Sequence, residues 1–235
     1  MHGLTANGAC WTPLARALEK DYDVIMPDAR GHGKSSAPNN GYCYDNLAFD
    51  VLSLIEVLEL VNPVLIGHSM GGMTAAVVAH RNFKQLRGLV LADPNFLTPQ
   101  RQREVYKSDV AAQHRRILNQ ERIFLDEIQI RHAHRSYELI KLFAQARFQT
   151  SIHAFQILTP PNPDYVKLIK TLGIPSLLII GDVGSVVSTK VASKLARLNQ
   201  RLKVVQIAKT GHGVPYDQPE RFATIVKAFL RSLII

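Results

Sequence analysis

A chain of 235 residues, 46% of them hydrophobic, can bury one sizeable core and needs no second. Its two cysteines give no disulfide framework, its start lacks the basic and apolar runs of a signal peptide, and no segment reaches the roughly 20 apolar residues that span a bilayer. A reducing, cytoplasmic setting without membrane partners is expected. The net charge of +9 comes without a nucleic-acid-binding motif, so it reads first as a solvated surface and second as a match to an anionic small-molecule substrate.

Residues 11–20 read as a helix opened by Thr12 and Pro13, with Leu14, Ala17 and Leu18 on one face. Residues 22–27 read as a short apolar strand. The loop Asp28-Ala29-Arg30-Gly31-His32-Gly33-Lys34-Ser35 follows it, at the strand end where open α/β sheets build their sites. Over 46–60, Leu47, Val51, Leu54, Ile55 and Leu58 recur at helical spacing. The strand 64–66 runs into Gly67-His68-Ser69-Met70-Gly71, and 74–80 continue as a helix. Apolar runs over 88–92, 176–180 and 203–207 alternate with helix-like segments, which predicts an α/β fold with a parallel sheet covered on both faces.

From 95 to 163 the rhythm changes. No apolar strand occurs there, and Arg, Lys, His and Gln gather in helical patterns such as 117–129 and 137–148, which predicts a helical cap inserted into a single domain spanning 1–235. Its Arg101, Arg103, Arg115, Arg116, Arg131 and Arg135 are interleaved with acidic residues such as Glu121, Asp126 and Glu127. Most of these read as a solvated helix surface, with one or two basic side chains able to face a pocket and hold a carboxylate.

The stretch 67–71 carries the chemistry. Gly-x-Ser-x-Gly between a strand and a helix presents a serine on a strained turn, where a side chain at Gly67 or Gly71 would meet the adjoining strand or helix. The amide of Met70, opening that helix, would face a developing oxyanion. Serine is a poor nucleophile at neutral pH unless an imidazole takes its proton and a carboxylate orients that imidazole. Of nine histidines, only His212, in Lys209-Thr210-Gly211-His212-Gly213, lies in a glycine-flanked loop after the last strand, which makes it the candidate base. His32 reads as structural or pocket-lining, and the ring of His68 is expected to point away from the Ser69 hydroxyl. His132 and His134 lack a third metal ligand and read as exposed residues, so no metal or cofactor is expected.

In this order His2-Gly3, the loop 28–35, the elbow 67–71, and Gly211-His212 followed by Pro219-Glu220-Arg221-Phe222 resemble the α/β-hydrolase fold family over essentially the whole chain. Residues 7–38 resemble the group that includes N-formylmaleamate deformylase. The resemblance implies a catalytic triad, with Leu4 joining Met70 in an oxyanion hole, and hydrolysis of a small ester, amide or formamide. A non-catalytic ligand-binding protein on the same fold, or haloperoxidase- or lyase-like chemistry, are the competing readings. The family's commonest pattern puts the acid in Gly-x-x-Asp, where this chain has Gly181-Asp182-Val183-Gly184. Two carboxylates could substitute, Asp182 and Asp93; Asp93 ends the strand after the elbow helix, close to the histidine loop, and the resemblance to the deformylase group, whose acid follows that strand, implies Asp93 as the preferred acid and Asp182 as the alternative. The resemblance also implies further strands before His2, one of them between 22–27 and 64–66, and leads to the expectation of an incomplete or mis-started chain.

Overall fold

The computed structural model describes residues 1–119 and 121–233. Four strands, β1 (Val64–His68), β2 (Gly88–Ala92), β3 (Ser176–Gly181) and β4 (Leu202–Ile207), pair in that order, all in parallel. His68 lies opposite Ala92, Ala92 opposite Ile179 and Gly181 opposite Ile207, so the strands all end on one rim. Every position of β2 and β3 is buried, as their unbroken apolar runs require. Alternate residues serve opposite faces: Leu89, Leu91, Leu178 and Ile180 join one core cluster, and Val90, Ala92, Leu177 and Ile179 the other. Each such buried Leu, Ile or Val contributes about 1.5–3 kcal/mol relative to exposure.

The helices cover both faces. On one side α1 (Thr12–Leu18) and α11 (Pro219–Arg231) pack together; on the other lie α2 (Tyr44–Val57), α3 (Met70–Asn82), α8 (Tyr165–Lys170) and α9 (Thr189–Leu198). Between β2 and β3 run α4 (Pro99–Lys107), α5 (Val110–Leu118), α6 (Glu121–Arg131) and α7 (Tyr137–Phe148), and the short α10 (Val214–Asp217) follows β4. The stretch expected as one helix over 117–129 is thus divided between α5, ending at Leu118, and α6, beginning at Glu121, while Gln120 and the side chains of Glu121, Arg122 and Ile123 lie outside the described residues. The start of the helix expected over 11–20 is a 3₁₀ turn, Gly8–Trp11, leading into α1. No helix among the described residues is long and apolar enough to cross a membrane.

Residues 22–27 form no strand, contrary to the sequence expectation. The edge of β1 that would receive a neighbour is met by Met1, whose nitrogen donates to Ile66 O at 2.6 Å and whose carbonyl accepts from His68 N at 3.1 Å. Beyond it a cavity of about 460 Å³, lined by Met1, Pro27, Asp28, Leu47, Met70 and Thr74 among others, separates this edge from the 22–27 stretch. Paired strands lie about 4.8 Å apart, so the apolar residues of 22–27 have no ladder to join and Ile25 is left 45% exposed.

The segment between β2 and β3 is tied to the rim of the sheet. Asn7 Nδ2 donates to Gln149 Oε1 at 2.9 Å and Ser151 N to Gly31 O at 2.7 Å. Arg135, 9% exposed in its side chain, grips Asp217 Oδ1 through Nε at 2.9 Å and Nη2 at 2.6 Å.

Candidate active site

Ser69 joins the end of β1 to the start of α3 at φ 53° and ψ −117°. Such a backbone costs a non-glycine residue about 1–3 kcal/mol and persists only where its surroundings hold it. Here Ser69 N donates to Ala92 O at 3.2 Å, and Ser69 O accepts from Asn95 N and Met73 N, each at 3.0 Å. The elbow is thereby pinned to the end of β2, and the first turn of α3 closes onto it.

Three side chains from three loops converge there. His212 Nε2 lies 2.9 Å from Ser69 Oγ, and His212 Nδ1 lies 2.7 Å from Asp93 Oδ2. Because Nδ1 faces a carboxylate it carries the proton, which leaves Nε2 free to accept from the serine hydroxyl. Asp93 is fully buried and also accepts from Val186 N at 2.8 Å and Val187 N at 2.9 Å. A buried carboxylate with three donors is a satisfied one. Asp182, the alternative acid, instead accepts from Thr210 N at 3.1 Å. Backbone amides of Lys209 and Thr210 hold its carboxyl below the usual range.

The His2-Gly3-Leu4 stretch passes over the start of α3, for a Cβ at Gly71 would meet Met1 O at 2.5 Å and His2 O at 2.6 Å, and one at Gly3 would meet Ser69 Cβ at 3.1 Å. Among the described residues the amides of Leu4 and Met70 have no hydrogen-bond acceptor. His2 is held from both sides: Nδ1 donates to Gly3 O and Nε2 accepts from Ala29 N, each at 2.9 Å. Asp28 accepts from Gly8 N at 2.7 Å and Lys34 N at 2.8 Å, and Arg30 is paired with Asp50. The polar loop 28–35 therefore braces the residues that follow Gly3.

Sequence reasoning missed several supports of this arrangement. His68 Nε2 donates to His212 O at 2.7 Å, fixing the loop from below while its ring stacks edge-on against Tyr216. Asp217 Oδ2 accepts from Gly211 N at 3.3 Å, so the Arg135 grip on Asp217 also steadies the His212 loop. Nothing in the spacing of these residues announces either contact, and the Val186 and Val187 amides carry no side-chain signal. His132 and His134, read without a third partner, do have one in the fold: their donor atoms and one from Asp217 lie within 4.8 Å of one another. His134 Nε2 and the Arg135 guanidinium share Asp217 Oδ1.

Burial makes the histidines of this region sensitive to acid. Burial holds His2 down to about 3, and it holds His68 well below the ordinary imidazole value. The unfolded chain takes up these protons below about pH 6.5 while the folded chain does not, so stability is full above that pH and falls as pH drops from 6.5 towards 3. Each such histidine removes about 1.4 kcal/mol per pH unit, or about 2 kcal/mol from His2 alone between pH 6.5 and 5. Urea unfolding at pH 7 and pH 5 is expected to show this as a lower midpoint in acid; identical midpoints would contradict it.

A half-buried elbow serine, an imidazole and a carboxylate on the rim of a parallel α/β sheet define a class, and comparison with known proteins agrees with it. The alpha/beta hydrolase fold family model matches residues 1–219, and the chain belongs to that family. It is accordingly an enzyme of hydrolase type. The chain is 26% identical to 2-(acetamidomethylene)succinate hydrolase of Mesorhizobium japonicum, over 93% of this chain and 82% of that protein. It is 25% identical to N-formylmaleamate deformylase of Pseudomonas putida, over 97% of this chain and 86% of that protein. A crystal structure of E-2-(acetamidomethylene)succinate hydrolase superposes with a TM-score of 0.83, covering 98% of this chain and 89% of that one at 24% identity.

Proposed function

We propose that the chain is a serine hydrolase cleaving a small carboxylate-bearing amide, formamide or ester, with Ser69 as nucleophile, His212 as general base and then acid, and Asp93 as the residue that orients it. The observation that carries this is the relay of 2.9 Å from Ser69 Oγ to His212 Nε2 and 2.7 Å from His212 Nδ1 to Asp93 Oδ2. Ser69 Oγ attacks the substrate carbonyl as its proton passes to His212 Nε2, and the oxyanion is held by the Leu4 and Met70 amides. The same proton then goes to the departing nitrogen or oxygen, leaving an acyl-serine. Water, deprotonated by His212, hydrolyses that ester and restores the hydroxyl. The helical segment 95–163 acts as a cap over this rim within one domain, shielding the acyl intermediate.

Two observations support a carboxylate-bearing substrate. The relatives are named for a 2-(acetamidomethylene)succinate and an N-formylmaleamate, and the net charge of +9 suits an anion. Incubation with a fluorophosphonate probe is expected to label Ser69, with labelling lost in Ser69→Ala. Folded wild-type protein that takes no label would count against the proposal.

A further inference from the structure

Two imidazoles and a carboxylate meet where the turn between α6 and α7 touches the end of α10. His132 and His134 belong to that turn, and Asp217 closes α10 shortly after His212. Sequence spacing offers only the pair of histidines; the fold supplies the third group, and one ligand atom from each residue lies within 4.8 Å of the others. His134 Nε2 is 3.0 Å from Asp217 Oδ1, and its side chain is 52% exposed, so a solute can reach it. The His132 ring stands edge-on to that of His134 with centroids 6.0 Å apart. Among the described residues the ring nitrogens of His132 make no hydrogen bond.

Asp217 is crowded at one oxygen and under-used at the other. Oδ1 faces His134 Nε2 at 3.0 Å and accepts from Arg135 Nε at 2.9 Å and Nη2 at 2.6 Å, while Oδ2 has only Gly211 N at 3.3 Å. A carboxylate oxygen offers about two lone-pair directions, so His134, the longest and most exposed of the three contacts, is the one open to exchange. The Arg135 guanidinium opposes any cation placed here, but Oδ2 has room for one of its bonds, and the rings of Phe143 and Tyr216, 5.4 and 5.9 Å from its Cζ, hold it in place. Two imidazole nitrogens and one carboxylate oxygen are a borderline donor set that suits Zn²⁺, whereas Mg²⁺ and Ca²⁺ take oxygen ligands. Bonds of tetrahedral zinc place neighbouring ligand atoms about 3.3 Å apart. The His134–Asp217 separation of 3.0 Å is near that value, and His132 closes the remaining gap by turning about its side-chain bonds.

We infer that His132, His134 and Asp217 form a zinc site that ties the α6–α7 turn to the loop carrying His212, with a water in the fourth position. Both imidazoles ligate as neutral rings, His134 through Nε2 with its proton on Nδ1, and Asp217 ligates through Oδ1. Three ligands beside a guanidinium make a weak site, with a Kd on the order of 10 µM, far above that of a closed four-ligand structural site. The inference stands apart from the hydrolase reading, since it requires only these three side chains and no turnover.

Calorimetric titration of the whole chain, first stripped with a chelator, is expected to show one zinc ion bound per chain. His132→Ala and His134→Ala should each weaken binding by about tenfold or more, while His80→Ala, on α3 with its ring against Thr171, should leave it unchanged. Zinc should raise the melting temperature of wild type but not of His134→Ala, and the two should melt together in chelator because His134 is half-exposed. Absence of saturable binding to wild type would overturn the inference. Undiminished binding in His132→Ala and His134→Ala, or an equal loss in His80→Ala, would overturn it by placing the ion elsewhere. A His134→Ala protein that melts well below wild type in chelator would do the same by making the ring a structural residue.

Discussion

Asp93→Asn is expected to lower turnover by about 10³- to 10⁴-fold while leaving the protein folded. The carboxylate holds the proton of His212 on Nδ1 at 2.7 Å, which is what leaves Nε2 able to accept from Ser69 at 2.9 Å. An amide can turn its NH₂ towards Nδ1 and so force the proton onto Nε2, and it cannot stabilise the imidazolium that forms as the serine attacks. It keeps one oxygen for the Val187 amide and leaves the Val186 amide, which bonds the oxygen facing His212, without its acceptor, so about 1–3 kcal/mol of stability should be lost while circular dichroism reports a retained fold. Asp182→Asn is the contrast, because its carboxylate meets only the backbone of the 209–210 turn and its loss should change turnover by no more than a few-fold. A large defect in Asp182→Asn with a small one in Asp93→Asn would move the acid to the other loop.

Much of this was legible in the sequence because strand order and strand ends are set by apolar runs. Val64, Gly88, Ser176 and Leu202 each begin a strand whose alternating side chains fill both faces, and that pattern requires no knowledge of partners. Asp93 could be singled out because it follows Ala92, which stands opposite His68 in the sheet, so both chain ends emerge on one rim beside the elbow. The strand expected at 22–27 failed for the complementary reason. Apolar content predicts that a segment can pair, but pairing needs an edge within reach, and here Met1 and a cavity lie between. The contacts from His68 to the His212 carbonyl and from Arg135 to Asp217 were equally hidden. They join residues 144 and 82 positions apart through loops whose paths no periodicity dictates.

Gly67→Ala should destroy both stability and activity, and the reason is backbone rather than side-chain crowding. A Cβ there would stand 2.2 Å from Gly71 O, 2.5 Å from Gly71 C and 2.8 Å from Gly72 N, all atoms of the first turn of α3 that no rotamer change can move. Overpacking a core costs about 1–3 kcal/mol when side chains can yield. Here α3 must retreat from β1, and the strained Ser69 backbone, held at φ 53° by hydrogen bonds to Ala92 and Asn95, loses its supports together. A loss of at least about 3 kcal/mol is expected in urea unfolding, a large share of the roughly 5–15 kcal/mol by which domains are stable. In whatever fraction remains folded, turnover should fall by about 10²-fold or more, since a displacement of about 1 Å at a reacting group has that effect. Gly184→Ala provides the comparison: its φ of +67° makes alanine unfavourable, but no atom lies within 4 Å of the added methyl, so only about 1–2 kcal/mol should be lost. Equal stability of the two variants would mean that the contact between Gly67 and the first turn of α3 does not constrain the elbow, and the case for a serine fixed in place for attack would lose its steric foundation.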